Sequence, residues 1–170
     1  MSDEQDRQDG GAPLEIEVEG LRKTFGRREV LKGLSFGVPR GGFLSIFGPN
    51  GAGKTTTLRV LATLLTASAG SVKIAGHDVR EDPMPVRTAI GLISHNAMLY
   101  PDLTAQENLR FYADMYGVED AGDRISELLD MLELSARRYD VVRTYSKGMR
   151  QRLAIARAVL HRPRVLLLDE

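Results

Sequence analysis

Polar and apolar residues alternate at the start of the chain, where Leu14, Ile16 and Val18 are separated by glutamates. A period of two is typical of a strand with one buried face. Short apolar segments predict further strands at 34–38, 43–47, 71–78, 90–94 and 165–168. The segment 71–78 is expected to run from a strand into a turn.

Apolar spacing of three and four residues predicts helices between these strands. The predicted ranges are 53–65, 104–116, a segment around 125–132, and 147–161. The helix 104–116 is the best marked, because Thr104 and Glu107 have the spacing of a capping box and Gly117 suits its end. Strands that alternate with helices indicate an α/β domain with a mainly parallel sheet.

Composition narrows the class of protein. The 170 residues suit one domain, and 23 basic against 23 acidic residues give no electrostatic reason to expect a nucleic-acid partner. The chain has no cysteine, which excludes disulfides and thiolate metal sites.

Residues 1–13 are polar and predict a disordered tail, so the domain is expected to cover 14–170. No apolar run is long enough for a membrane span, so a membrane role would require another subunit.

A phosphate-binding loop is predicted directly before the first helix. The segment GPNGAGKT at 48–55 fits the pattern G-x-x-x-x-G-K-[ST], in which successive backbone N–H groups surround phosphates. Lys54 is expected to reach the β- and γ-phosphates, and the Thr55 hydroxyl to bind Mg²⁺. The predicted ATP-binding residues here are Gly48, Pro49, Asn50, Gly51, Ala52, Gly53, Lys54, Thr55 and Thr56.

Two acidic residues end the last predicted strand, in the sequence VLLLDE. A carboxylate on a strand beside a phosphate loop can hold Mg²⁺, which is the predicted role of Asp169. The next carboxylate, Glu170, is predicted to orient and polarise the attacking water, with Lys54 as the second catalytic residue. The alternative for both acids is a solvated strand end.

Three motifs together resemble the ATP-binding subunit of ABC transporters. They are GPNGAGKT, YSKGMRQRLAIARA and VLLLDE, in that order, and the resemblance covers 14–170. It implies a P-loop NTPase fold of ABC type, with an antiparallel β part near the N-terminus and a helical subdomain at approximately 96–145. It also implies that Mg²⁺ and ATP are the cofactors.

The resemblance implies further nucleotide contacts. Ser146 and Gly148 match a signature segment that contacts the γ-phosphate bound by a second subunit, although Lys147 departs from the usual glycine. Phe25 is similar to the aromatic residue that stacks on adenine. His95 stands where the family usually has glutamine. For Ser146 and Gly148 the alternative is an ordinary capped helix start. For Phe25 it is an apolar residue at a strand end, and for His95 it is a histidine in a surface loop.

The implied function is ATP hydrolysis that powers export. A dimer of ATP-binding subunits would act on an integral membrane subunit docked near 95–112, at the cytoplasmic face of the membrane. The segment 93–117 is similar to haem exporters of cytochrome c maturation, with drug or polysaccharide exporters as alternatives. A soluble ABC ATPase without a transport role, or a non-catalytic nucleotide-binding module, is the other reading.

The resemblance also predicts that the chain is a C-terminal truncation. The family continues beyond the acidic pair with an interface loop, a histidine that contacts the γ-phosphate, and further strands. We therefore expect a fragment with negligible ATPase activity by itself.

Overall fold

The computed structural model describes residues 13–94 and 96–169, which form two sheets and five α-helices. The strands are β1 (Leu14–Phe25), β2 (Arg28–Pro39), β3 (Ala69–Ile74), β4 (His77–Asp78), β5 (Ile90–Ile93) and β6 (Val165–Leu168). The helices are α1 (Lys54–Leu61), α2 (Pro83–Ala89), α3 (Ala105–Tyr116), α4 (Ala121–Met131) and α5 (Lys147–Val159). Short 3₁₀ turns cover Ser135–Arg137 and Val142–Thr144.

Antiparallel pairing dominates the described sheets. Strands β2, β1, β3 and β4 lie side by side in that order, and each neighbouring pair is antiparallel. This confirms the antiparallel part near the N-terminus. The expectation of a mainly parallel sheet is not confirmed, because β5 and β6 are the one parallel pair within 13–94 and 96–169.

The predicted strand at 43–47 is wrong for the described structure. It has no β assignment, and the side chains of Phe43 and Phe47 are each 89% exposed. Apolar residues favour burial, but a strand also needs a neighbour for its backbone N–H and C=O groups. None of the strands among the described residues pairs with this segment.

The sequence predicted the bounds of three elements to within two residues. Helix α3 has the predicted capping box at Thr104 and Glu107, and Gly117 ends it with a φ of 64°. Helix α5 begins after Ser146 as predicted and ends at Val159, two residues early. Strand β6 has the predicted bounds. These elements were predictable because caps and apolar patterns act within a few residues.

Two other helices differ from the prediction. Helix α1 ends at Leu61 rather than residue 65, because Thr63 adopts a left-handed backbone with a φ of 57°. Helix α2 was not predicted. It has seven residues and starts at Pro83, so it is too short to show a helical period in the sequence.

The buried side chains form two cores. The first core lies between the strands, α1 and α2, and includes Leu21, Val60 and Ile74. The second core lies between α3, α4 and α5, and includes Leu109 and Leu153. Helix α5 also packs on β5, so it joins the second core to the two-stranded sheet.

Gly91 is the point where β5 touches the end of α5. A Cβ at this position would lie 2.3 Å from the Ala158 carbonyl oxygen and 2.8 Å from Leu166 Cδ2. We expect Gly91→Ala to lower the free energy of unfolding by about 1–3 kcal/mol, since backbone atoms must move to accept the methyl group. Urea denaturation of the full-length protein measures this change.

Gly122→Ala is the matched control for that substitution. Gly122 lies in α4, and a Cβ there meets no atom within 4 Å. Replacement of an exposed helical glycine by alanine raises the free energy of unfolding by about 0.5–1 kcal/mol. A Gly91→Ala protein as stable as the wild type would contradict the close packing of β5 on α5.

Candidate nucleotide site

The loop before α1 presents the backbone N–H groups of a helix start. Gly53 is the N-cap residue, and no side chain caps the helix. The first turn of α1 contains no acidic residue. The free N–H groups and the helix dipole therefore favour an anion at this position.

Glycine is required at two positions of this loop. Gly51 and Gly53 have φ angles of 82° and 98°, which side-chain-bearing residues rarely adopt. A Cβ on Gly53 would also lie 2.6 Å from Leu31 Cδ2, so the loop packs closely on β2. A side chain at Gly53 would therefore disturb the contact between the loop and β2.

The Lys54 side chain lies over the loop itself. Its ammonium group donates hydrogen bonds to the carbonyl oxygens of Gly48, at 2.8 Å, and Pro49, at 3.2 Å. An ammonium group has three donors and makes strong hydrogen bonds to phosphate oxygens. The Lys54 ammonium therefore lies at the loop that leads into α1. Thr56 lies half-buried in the first turn of that helix.

The two predicted magnesium ligands lie together. The Thr55 hydroxyl donates to Asp169 Oδ1 at 3.0 Å, although the two residues are 114 positions apart. The Asp169 N–H donates to the Ile93 carbonyl at 2.8 Å, which holds the end of β6 beside β5. A hydroxyl and a carboxylate are oxygen ligands suited to Mg²⁺. The donor set therefore fits a magnesium ion next to bound phosphates.

The hairpin between β1 and β2 flanks the phosphate loop. Phe25 pairs with Arg28 across the turn, and its ring is 48% exposed. The Arg28 guanidinium lies 3.7 Å from the position that a Cβ on Gly51 would take. Arg28 is thus a cation beside the loop that sequence reasoning did not identify.

The predicted signature residues lie at the start of α5. Ser146 is the N-cap and accepts a hydrogen bond from the Met149 N–H at 3.2 Å. Ser146 and Gly148 are exposed, and the first turn has no acidic residue. This helix packs in the second core, so its start and the phosphate loop belong to different parts of one chain. His95 and Glu170 lie outside the described residues, and their roles remain predictions.

Two buried polar residues had no signal in the sequence. Asn108 is fully buried, and its amide binds both the N–H and the C=O of Tyr100, at 2.8 and 3.0 Å. Arg157 is buried in α5, where desolvation lowers its pKa. Both lie in ordinary amphipathic helices, so only the packing distinguishes them from surface residues.

The described residues contain no helix that is long and apolar enough to cross a membrane. The family model for ABC transporters matches residues 31–170. The chain belongs to the ABC transporter family.

Known proteins resemble most of this chain. It is 42% identical over 155 residues to an uncharacterized ABC transporter ATP-binding protein, YdbJ, of Bacillus subtilis (strain 168), with 91% of this chain and 50% of YdbJ covered. It is 41% identical over 161 residues to the daunorubicin resistance ATP-binding protein DrrA3 of Streptomyces coeruleorubidus, with 94% and 51% covered. The chain thus spans about half the length of these relatives.

A solved structure described as the ATP-binding subunit of an ABC transporter has a similar fold. Its TM-score is 0.85 at 32% identity, and the match covers 93% of this chain and 66% of that one. An ABC-type P-loop fold is therefore confirmed.

Proposed function

We propose that this chain is the ATP-binding and ATP-hydrolysing unit of an exporter. The contact between Thr55 and Asp169 at the start of α1 supports the ATP-binding role most directly, because it brings two predicted magnesium ligands together beside the predicted phosphate loop. Lys54 and the loop N–H groups would bind the phosphates, and the exposed Phe25 ring would stack on adenine. Mg²⁺ would neutralise charge on the β- and γ-phosphates. Glu170 would polarise the attacking water, and His95 would hydrogen-bond water nearby.

We infer that the unit works as a dimer. Among the described helices of eight or more residues, α1 and α5 have a first turn without acidic residues, which favours an anion at each start. A two-fold arrangement would place each γ-phosphate between the loop of one copy and Ser146 and Gly148 of the other. Binding of ATP by both copies would hold them together.

An exposed aromatic patch supports a docked membrane subunit. The aromatic patch consists of Tyr100, Phe111 and Tyr112. The rings of Tyr100 and Phe111 meet edge to face at 5.0 Å, and Phe111 is 44% exposed. Exposed aromatic side chains in mutual contact are a feature of protein interfaces. The membrane subunit would dock there, and this chain would then lie at the cytoplasmic face of the membrane.

The relatives favour a drug-like cargo over haem. DrrA3 is a daunorubicin resistance protein by name. Support for haem rests on the sequence of 93–117 and on the YSKGM segment alone. We therefore propose export of a lipophilic small molecule, with haem export for cytochrome assembly as the alternative.

Complementation of a gene deletion tests the cargo. Cells without the full-length protein should accumulate more fluorescent daunorubicin, while covalent haem in c-type cytochromes stays unchanged. The wild-type gene should restore efflux, and a gene carrying Lys54→Ala should not. Loss of covalent haem with normal daunorubicin efflux would favour the haem alternative. No change in either quantity would exclude both daunorubicin and haem as cargoes.

A further inference from the structure

Arg157 is a buried cation between the nucleotide site and the aromatic patch. Its Nη2 donates a hydrogen bond to the Leu92 carbonyl in β5. Its guanidinium carbon lies 5.4 Å from the centre of the Tyr112 ring, and Nη1 lies 3.9 Å from Met98 Sδ. Within 13–94 and 96–169, no carboxylate forms a salt bridge with it. One side chain therefore contacts β5, α3 and the segment that joins them.

Tyr112 contacts the same segment from the other side. Its ring face receives the Arg157 cation, and its hydroxyl donates to the Met98 carbonyl at 2.5 Å. Met98 has a left-handed backbone with a φ of 50°, which costs free energy for a residue with a long side chain. These contacts on its carbonyl and its sulfur hold Met98 in place.

A continuous set of contacts joins Arg157 to the nucleotide site. The Leu92 carbonyl that it binds lies one residue before Ile93, whose carbonyl accepts the Asp169 N–H at 2.8 Å. Asp169 in turn accepts the Thr55 hydroxyl. A shift of the magnesium ligands on nucleotide binding would therefore act on the end of β5.

The opposite side of Arg157 leads to the patch surface. Tyr112 meets Phe111 edge to face at 5.3 Å, and Phe111 meets Tyr100 in the same way at 5.0 Å. Asn108 fixes the Tyr100 backbone on α3. Movement of Met98 relative to α3 would therefore change the shape of the patch.

Burial of Arg157 in this space is expected to lower the stability of the fold relative to an apolar residue. Burial of a charge without a carboxylate is unfavourable, and desolvation lowers the pKa of Arg157. Its Nε also has no hydrogen-bond partner within the described part of the chain. That donor is available to a carbonyl of the joining segment when the segment moves. An apolar residue would fill the volume but would hold neither carbonyl nor ring.

We propose that Arg157 is a positioning residue that couples nucleotide bound at 48–55 to the conformation of the aromatic patch. Arg157 holds the end of β5 and Met98 in one arrangement, so that the nucleotide site and the aromatic patch change conformation together. The inference rests on the proposed function, since it requires that the loop binds ATP.

Hydrogen–deuterium exchange tests the coupling in the full-length protein. Amides in 97–112 are measured with and without Mg²⁺ and the non-hydrolysable analogue AMP-PNP. In the wild type, the analogue should change their exchange rates about fivefold or more. In Arg157→Lys, which keeps the charge but loses the planar guanidinium, the change should fall below about twofold. Affinity for the analogue should change by less than about tenfold, because the loss of the coupling can alter it by no more than about the size of the coupling itself.

Arg152→Lys is the matched control. Arg152 also lies in α5 and donates to a backbone carbonyl, that of Leu132 at 3.1 Å, but this bond leads to the end of α4. It should respond to the analogue as the wild type does. If Arg157→Lys fails to fold, Tyr112→Phe removes only the hydroxyl bond to Met98 and should weaken the response in the same direction.

The possible results are distinguishable. An undiminished response in a folded Arg157→Lys protein would overturn the coupling role. So would a wild type that binds the analogue without any change at 97–112. A tenfold loss of affinity in Arg157→Lys would show that Arg157 shapes the nucleotide site itself. Absence of analogue binding by the wild type would remove the proposed function and this inference together.

Discussion

Lys54→Ala should weaken Mg-ATP binding by the full-length protein about 30-fold or more. The Lys54 ammonium lies at the carbonyl groups of Gly48 and Pro49, in the loop that leads into α1. Removal of one partner from a hydrogen-bonded charge pair costs about 2–5 kcal/mol, which corresponds to a factor of about 30 to several thousand. Isothermal titration calorimetry with AMP-PNP measures the change.

Lys32→Ala is the control for loss of a positive charge. Lys32 is exposed in β2, and its loss should leave the affinity unchanged. Urea denaturation of both variants separates lost binding from lost folding. An affinity within threefold of wild type in a folded Lys54→Ala protein would contradict the assignment of the loop 48–55 as the phosphate site.

Glu170→Gln should leave ATP binding nearly intact and lower turnover about 100-fold or more. A positioned general base contributes about 10²–10⁴-fold to the rate, and glutamine keeps the shape of glutamate without its charge. Asp169, the preceding residue, is held by the Ile93 carbonyl and lies 3.0 Å from the Thr55 hydroxyl. Glu170 is the next residue in the sequence after this predicted magnesium ligand. Release of inorganic phosphate by the full-length protein is the measurement.

Asp169→Asn separates the two neighbouring acids. It should weaken nucleotide binding mainly when Mg²⁺ is present, because it removes a ligand charge rather than the base. Glu170→Gln should instead accumulate the ATP-bound dimer, visible by size-exclusion chromatography. Undiminished phosphate release by Glu170→Gln would leave the chain without its proposed base.

Short-range signals explain which parts of the fold were predictable. The capping box of α3 and the N-cap of α5 involve residues three positions apart, so the sequence shows them directly. The loop 48–55 carries its glycines for the same local reason, since the backbone there needs positive φ angles. The proximity of Thr55 and Asp169 was also inferred, from the general rule that a carboxylate on a strand beside a phosphate loop can hold Mg²⁺.

Long-range partners explain what was missed. The apolar segment 43–47 indicated a strand, yet no described strand lies beside it. Arg28 and Arg157 appeared in the sequence as ordinary basic residues. Their interest comes from the loop glycine beside Arg28, and from the carbonyl, ring and sulfur around Arg157. None of these neighbours is close in sequence.

The sequence by itself determined the phosphate loop, the acidic strand end and the family, because these depend on residue type and spacing over a few positions. Only the tertiary structure decided that Arg157 lies buried between β5 and the aromatic patch, and that Thr55 and Asp169 are in hydrogen-bond contact. The physical reason is that burial and contact are properties of distant segments packed together. A sequence pattern records the tendency of a residue to be buried, and packing selects the neighbours that it meets.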